Sequence, residues 1–284
     1  MTKTITGATL VAGVTGFPVK HSLSPVIHNA WIAAAGLDAI YVPFAPPPGG
    51  FHGFAEGLRG GVIRGLNVTL PFKEAALALA DKPSARAMSA GAANVLVFEA
   101  DGSIHADNTD GQGLLAAFEG RIPDFDPTAG PVVILGAGGA ARGAVAAFAA
   151  AGAPEIRIVN RTHGRAEGLA RMTPTAHAFG LDEAETALSG AALLINATSV
   201  GLDEDAELHL PWSALPKKAV AMDMVYGRST EFLEAAQAHG LKTIDGLDML
   251  IGQAIPSFEH FFGQHPPAEV DARALALAHL AQTA

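Results

Sequence analysis

The sequence predicts an α/β protein in two domains, each built on a mostly parallel sheet covered by helices. Three observations lead there. Strand-like and helix-like stretches alternate along most of the 284 residues, and parallel strands with helical crossovers are the layer arrangement that suits such alternation. A polar connection broken by proline, Ile122-Pro123-Asp124-Phe125-Asp126-Pro127, divides the series and sets a domain boundary between residues 110 and 130. Beyond it the pattern becomes a regular βαβ series with a glycine turn at 136–143, which reads as a doubly wound sheet. At about 150 residues per domain, the length fits one large domain or two ordinary ones.

The first strand lies in the apolar stretch 9–17, closed by Gly16-Phe17-Pro18. Its alternation, Thr9-Leu10-Val11-Ala12-Gly13-Val14, reads as strand and turn and not as the apolar core of a secretory signal. A helix starts near Pro25, with Ser24 as its N-cap and Gly36 closing it. A short strand at 39–44 precedes Pro46-Pro47-Pro48-Gly49-Gly50, a loop. A helix around 51–58 leads to a strand at 65–70 that stops at Pro71. Residues 73–91 read as one helix, and 93–99 with 103–106 as a hairpin around Asp101-Gly102. A helix then runs from 111 to about 118.

In the second series, Pro131-Val132-Val133-Ile134-Leu135 is a buried strand and 140–151 an alanine-rich helix ending at Gly152. Strands follow at 155–159, 192–197 and 219–224, with helices around 164–171 and 230–239. The tail reads as two helices, 248–262 and 268–281, separated by Pro266-Pro267.

Composition narrows the function classes. Hydrophobic residues make up 49% and charged residues only 16%, against about 25% charged in ordinary domains, so the chain folds rather than staying disordered. Eighteen basic against 28 acidic residues give a net charge of −10, which argues against a nucleic-acid or anionic-membrane binder. An anionic ligand then needs a local basic or backbone-amide pocket. No apolar run reaches the roughly 18 residues of a membrane span, because Arg142 interrupts the best candidate, 132–152. Cysteine is absent, which removes disulfides, thiolate nucleophiles and cysteine zinc sites, and fits a cytoplasmic protein.

Five segments carry chemistry. Gly136-Ala137-Gly138-Gly139-Ala140-Ala141 follows a strand and opens a helix, the context of a dinucleotide fingerprint. Gly136 permits the tight turn, Gly138 lets the backbone approach a pyrophosphate, and Ala141 fills the third small position. The helix start then offers unpaired amides to the diphosphate. At the end of the next strand, where an NAD enzyme would carry Asp or Glu, stand Asn160-Arg161-Thr162, with Arg165 one turn on. A guanidinium pairs with a 2′-phosphate that a carboxylate would repel, so the cofactor expected is NADP. Two arginines at a solvated helix start are the plain alternative.

Ser22 and Ser24 put two hydroxyls beside a helix start, suited to a carboxylate or simply to capping. Lys73, just past Asn67-Val68-Thr69-Leu70-Pro71, is a candidate acid–base group, although lone lysines are mostly surface residues. Asp107-Asn108-Thr109-Asp110-Gly111 is either a polar functional loop or ordinary Asx-turn chemistry. No motif supplies metal ligands. His21 and His28 lack a carboxylate partner and read as structural or hydrogen-bonding residues.

Taken together and in order, these pieces resemble the shikimate dehydrogenase family over almost the whole chain. The order is Gly16-x-Pro18-x-x-His21-Ser22-x-Ser24-Pro25-x-x-His28-Asn29, Asn67-Val68-Thr69-x-Pro71-x-Lys73, Ala92-Ala93-Asn94 and Asp107-Asn108-Thr109-Asp110-Gly111. It continues with Gly136-Ala137-Gly138-Gly139, Asn160-Arg161-Thr162, Ile195-Asn196-Ala197-Thr198-Ser199-x-Gly201, Asp223-x-x-Tyr226 and Gly246-x-x-Met249-Leu250-x-x-Gln253.

The resemblance implies a reversible reduction of 3-dehydroshikimate to shikimate with hydride from NADPH, a step of chorismate and aromatic amino acid biosynthesis. By position Lys73 and Asp110 correspond to the catalytic pair, and Ser22 and Ser24 to the holders of the substrate carboxylate. Thr69, Asn94, Asp110 and Gln253 correspond to ligands of its ring hydroxyls, with Tyr226 nearby. Gly136, Ala137, Gly138, Gly139, Ala140, Asn160, Arg161, Thr162, Arg165, Thr198 and Gly246 fall at cofactor-binding positions. The implied organisation is a discontinuous substrate-binding catalytic domain, 1–112 with 247–284, and a Rossmann-like NADP-binding domain, 113–246, with the cleft between them. Partners are small molecules, with neither nucleic acid nor membrane, in a monomer or homodimer.

Asp248, often glycine in relatives, and the acidic loop 203–207 depart from the pattern and read as solvated surface. Two other readings are a quinate/shikimate dehydrogenase using NAD and a dinucleotide-sensing relative without catalysis. Asn160-Arg161-Thr162 argues against the first, and retention of Lys73 and Asp110 against the second.

Overall fold

In the computed structural model, which describes residues 4–61, 63–198 and 209–283, the chain falls into two units. One is Met1–Asp110 with Gln253–Ala284, the other Gly111–Gly252. Residues 111–112 and 247–252, expected with the first domain, group with the second, and both divisions fall within helices. Ser199, Gly201 and the acidic loop 203–207 lie outside the described residues.

In the first unit the chain runs β1 (Leu10–Thr15), α1 (Ser24–Ala34), β2 (Ala39–Phe44), α2 (Phe51–Glu56), β3 (Ile63–Val68), α3 (Lys73–Leu79), β4 (Lys82–Pro83), α4 (Ala85–Ala90), β5 (Val95–Phe98) and β6 (Ile104–Asp107). The strands form one sheet in the order β2-β1-β3-β5-β6-β4. β1 pairs in parallel with both β2 and β3, and β5 and β6 form the expected antiparallel hairpin. Strand alternation sorts the side chains of β3: Leu66 and Val68 join a core with Phe51, Phe72, Leu96 and Ile104. Gly65 and Asn67 face the other way. A Cβ on Gly65 would overlap the Phe261 ring, so glycine there lets the helix that carries Phe261 lie directly on the sheet.

Two expectations for this unit are corrected. Ser24 does not cap α1: Leu23 occupies the cap position without a side-chain bond, and Ser24 is the first helical residue. Gly36 does close the helix, at φ +64°. The single helix expected over 73–91 is three elements. Pro83 has no amide to continue a helix, and β4 instead pairs with β6 at the sheet edge, where proline is tolerated. Ser84 then starts α4 afresh, its hydroxyl accepting the Ala87 amide at 3.1 Å.

The second unit continues with α5 (Asp110–Arg121), β7 (Val132–Leu135), α6 (Gly139–Ala150), β8 (Ile156–Val159), α7 (His163–Ala170), β9 (Ala176–Phe179), α8 (Ala184–Leu188), β10 (Leu193–Asn196), β11 (Val220–Asp223), α9 (Glu231–Ala238), β12 (Lys242–Ile244) and the start of α10 (Gly246–Phe262). All its strands are parallel, in the order β12-β11-β10-β7-β8-β9. Relabelled from the first strand of the unit, that is 6-5-4-1-2-3, the doubly wound dinucleotide topology. β7 is buried on both faces: Val132 and Ile134 pack into one core, Val133 and Leu135 into the other. Such two-sided burial is why its sequence is a continuous apolar run. Asp248, expected at the surface, is held bidentately by Arg121 at 2.8 and 2.9 Å. The chain ends in α11 (Ala272–Thr283) of the first unit.

Among the described residues no helix is long and apolar enough to cross a membrane, and no group of three His, Cys, Asp or Glu side chains could hold a metal ion.

Candidate active site

Three polar segments converge in the first unit. Lys73 opens α3, four residues after Thr69 leaves the end of β3, and its Nζ stands 2.5 Å from Asp110 Oδ2. Asp110 follows the end of β6. Asn94, just before β5, turns its Nδ2 toward Asp110 Oδ1 at 2.9 Å, Thr109 Oγ1 at 3.0 Å and Gln253 Oε1 at 3.1 Å. Its Oδ1 accepts the Thr109 amide at 2.7 Å, which fixes the orientation of the side-chain amide. Two Nδ2 protons face three acceptors, so at least one acceptor is left for a ligand hydroxyl.

The lysine and aspartate side chains are 27% and 18% exposed. A partly solvated ion pair contributes only about 0–1 kcal/mol to stability, so its consequence lies in what an ammonium can do to a ligand. Lys73 carries three protons, and only one is directed at Asp110.

Further hydrogen bonds hold this cluster from the sheet. Tyr41 Oη donates to Asn67 Oδ1 at 2.8 Å, and Asn67 Nδ2 donates to Ser257 Oγ at 2.8 Å and to the Asn94 carbonyl at 3.3 Å. The carbonyl of Gln253 accepts from Ser257 Oγ and Thr109 Oγ1, both at 3.0 Å. On the other side Asp107, 1% exposed, accepts from Ser84, Arg86, His260 and the Asn108 amide. Burial alone would raise its carboxyl. The bonds from His260, Arg86, Ser84 and Asn108 outweigh burial and hold it far below the usual carboxylate range.

The structure thus brings Lys73, Asn94, Asp110 and Gln253 into direct contact. Ser22 and Ser24 meet each other: Ser22 Oγ accepts the Ser24 amide at 3.3 Å, which leaves the Ser22 hydroxyl proton to point elsewhere. Thr69 is half-buried at the end of β3, its amide bound to the Thr15 carbonyl at 2.9 Å. Thr109, Ser257 and Asp107 take part in or brace the cluster although sequence reasoning gave them no role. Asp107 and Thr109 lay within the polar segment 107–111 without individual roles, and the signal for Ser257 was the polar stripe Gln253, Ser257, His260 at helical spacing on α10.

In the second unit, Gly136 follows β7 at φ +102°, a conformation that favours glycine, with Ala197 and Thr198 crowding the position of a Cβ at 3.0 Å. Gly138 and Gly139 differ. Neither has a positive φ, and a Cβ at either would meet nothing within 4 Å. Packing therefore does not require glycine there, whereas close approach of a ligand to the backbone at the start of α6 would. Ala137 and Ala140 flank them, and Ala141 is fully buried against the sheet.

Beyond β8, Asn160 Nδ2 donates to the Thr162 carbonyl at 2.9 Å and shapes the turn. Arg161 and Arg165 are exposed and pair with no carboxylate among the described residues. At the end of β10, Thr198 gives both its amide and its hydroxyl to Asn196 Oδ1, at 3.1 and 2.7 Å. Asn196 is oriented in turn by buried Asp223 at 3.2 Å, whose carboxyl burial pushes up. Tyr226 follows β11, and burial raises its phenol as well, so it stays a hydrogen-bond donor at neutral pH. Gly246 is explained by packing, since a Cβ would overlap the Met224 carbonyl, and its amide donates to Val225 O at 3.1 Å.

Three family models match the chain. Residues 14–96 match the shikimate dehydrogenase substrate binding domain, 124–203 the shikimate / quinate 5-dehydrogenase model, and 246–276 the shikimate 5′-dehydrogenase C-terminal domain. The shikimate dehydrogenase (NADP(+)) of Caulobacter vibrioides strain NA1000 is 60% identical over 279 residues, 98% of each chain. That of Maricaulis maris is 48% identical over 277 residues, 97% of this chain and 98% of the relative. The crystal structure of shikimate 5-dehydrogenase from Thermus thermophilus in complex with NADP(H) and shikimate superposes with a TM-score of 0.82 at 37% identity. The match covers 96% of this chain and 99% of that one.

Proposed function

The chain belongs to the shikimate dehydrogenase family, and from that premise we propose that Lys73 and Asp110 work the proton in its reaction. The activity is the reversible NADP-dependent oxidation of shikimate to 3-dehydroshikimate. The observation that carries the proposal is the Lys73–Asp110–Asn94 constellation, with Nζ 2.5 Å from the carboxylate.

When bound, NADPH supplies the hydride. Reducing a ketone leaves an alkoxide that must gain a proton as it forms. The Lys73 ammonium, hydrogen-bonded to that oxygen, stabilises the growing charge and hands over a proton from Nζ. Asp110, 2.5 Å from Nζ, orients the ammonium. In the oxidising direction the neutral amine takes the proton back. Asn94, Thr69 and Gln253 hold the ring hydroxyls. The Ser22 and Ser24 hydroxyls hold the carboxylate, and Tyr226 is a further substrate-binding residue.

The residues of the second unit fit the cofactor. The exposed, glycine-bearing start of α6, at Gly136, Ala137, Gly138, Gly139 and Ala140, suits a diphosphate. Asn160, Arg161, Thr162 and Arg165 suit the 2′-phosphate, and Thr198 and Gly246 complete the set. The unit 1–110 with 253–284 is then the substrate-binding catalytic domain, and 111–252 the NADP-binding domain. Action in the cytoplasm, as a monomer or homodimer, belongs to the same proposal.

Lys73→Ala tests it. The variant is expected to bind NADP as the wild type does and to lose about 10²–10⁴-fold in kcat for shikimate oxidation, the usual share of acid–base catalysis. Near-wild-type turnover at saturating shikimate would overturn the assignment. The same assay with quinate, and with NAD, tests the alternative substrate and cofactor.

A further inference from the structure

We propose that Asp107, with Arg86 and His260, is a positioning clamp that holds the Lys73–Asp110 pair in register without touching it; this rests on the reading of that pair as the proton-handling group.

Asp107 is the last residue of β6, on the sheet face opposite Ile104 and Ala106, which go into the core. Its Oδ1 accepts from Ser84 Oγ at 2.6 Å, from Arg86 Nε at 3.2 Å and from the Asn108 amide at 2.7 Å. Its Oδ2 accepts from the second guanidinium arm of Arg86 and from His260 Nε2 at 3.1 Å. A fork-on-fork arginine pair fixes direction as well as distance. The His105 ring lies 5.9 Å from that of His260, so the titratable groups about the carboxylate are Arg86, His260 and His105.

What hangs on this carboxylate is the rest of the site. The amide bound to Oδ1 belongs to Asn108, whose own Oδ1 accepts the Asp110 amide at 3.1 Å and whose Nδ2 donates to the Ala92 carbonyl at 2.9 Å. The backbone carbonyl of Asp107 accepts the Asn94 amide at 3.0 Å. His260 lies two turns along α10 from Gln253. One buried carboxylate therefore ties the loop that carries Asp110 to the helix that carries Gln253, and the backbone carbonyl of the same residue holds the segment that carries Asn94.

Stability alone is a weak reason to keep such a group. A buried ion pair is often replaceable by packed apolar side chains at no loss. Catalytic geometry is a stronger one, because displacing a reacting group by about 1 Å can lower the rate 10²-fold.

Arg86, with its side chain 52% exposed, is the member that can be changed with least risk to folding. Arg86→Ala is expected to lower kcat for shikimate about tenfold, with NADP affinity within a factor of about two of wild type. The pH profile of kcat should change as well, because Asp110 is no longer held against Lys73. Arg86→Lys keeps the charge but not the fork and should recover only part of the rate. His260→Gln, which retains a donor, should be milder than His260→Leu. If the thermal midpoint falls in Arg86→Ala while kcat and its pH profile stay those of wild type, the cluster is a structural brace only and the proposal is overturned. Wild type and Lys73→Ala measured alongside separate the two readings: an Arg86 effect equally large in the Lys73→Ala background would show that the clamp does not act through the pair.

Discussion

Both ring nitrogens of His28 are buried without a hydrogen-bond partner, in a setting made almost wholly of aromatic rings. The imidazole stacks on Tyr41 with ring centres 4.1 Å apart and meets Trp31 edge-on at 5.4 Å. Burial lowers its pKa from 6.5 to about 3, so the native ring is neutral. Above pH 6.5 the unfolded chain is neutral there too, and the group contributes nothing to the pH dependence. Below 6.5 the unfolded state binds a proton that the native state refuses, so stability falls as pH drops toward 3. At about 1.36 kcal/mol per unit, about 2 kcal/mol is lost by pH 5. Asp107 has a depressed carboxyl, and its contribution disappears only below the ordinary carboxylate range. Urea unfolding at pH 7.5 and pH 5 should show wild type losing about 2 kcal/mol more than His28→Leu. Identical pH dependence in the two proteins would mean that the imidazole finds a proton partner in the native state.

At the scale of elements, the candidate residues stand just past the carboxyl ends of strands: Thr69 after β3, Asp110 after β6, Gly136 after β7, Arg161 after β8 and Thr198 after β10. In the second unit this follows the rule for open α/β sheets. It also explains which parts the sequence disclosed. The glycine turn after β7 and the Asn160-Arg161-Thr162 corner were readable because each is contiguous and sits between a strand and a helix of ordinary length. β4, β9 and β12 were not foreseen, because strands of two to four residues at or next to a sheet edge carry too little periodicity. The break at Pro83 is flanked on both sides by alanine-rich stretches that read as one helix. Ser257 and His260 had no readable partner at all, since Asn67 lies 190 residues from the one and Asp107 153 from the other. Because the exposed Arg161 stands just past the end of β8, its prediction belongs here. Arg161→Ala should weaken NADP tenfold or more, as loss of a charge-assisted hydrogen bond does, and leave NAD nearly unchanged. Titrations of both nucleotides decide it, since equal losses would make the arginine a support of the turn and not a reader of the 2′-phosphate.

For the whole molecule the governing quantity is the net charge of −10, because both shikimate and NADP are anions. The summed field opposes their approach, and attraction has to come from short-range groups. In the proposed site those groups differ in kind for the two ligands. Ser22 and Ser24 are neutral donors whose hydrogen bonds are barely screened, and Lys73 has its charge largely balanced by Asp110 at 2.5 Å. Arg161 and Arg165 are exposed cations with no carboxylate partner among the described residues, and their pull on a phosphate weakens as ions shorten the Debye length from about 30 Å at 0.01 M to about 10 Å at 0.1 M. Added salt should therefore act in opposite directions. Over that range kcat/KM for shikimate is expected to rise about twofold as the global repulsion is screened, while KM for NADP rises because its local attraction is screened. The NADP effect should shrink in Arg161→Ala. Steady-state rates at a series of salt concentrations measure both. A steep fall of kcat/KM for shikimate with salt would show instead that an unbalanced cation draws in the carboxylate, and the serine pair would lose its assigned place.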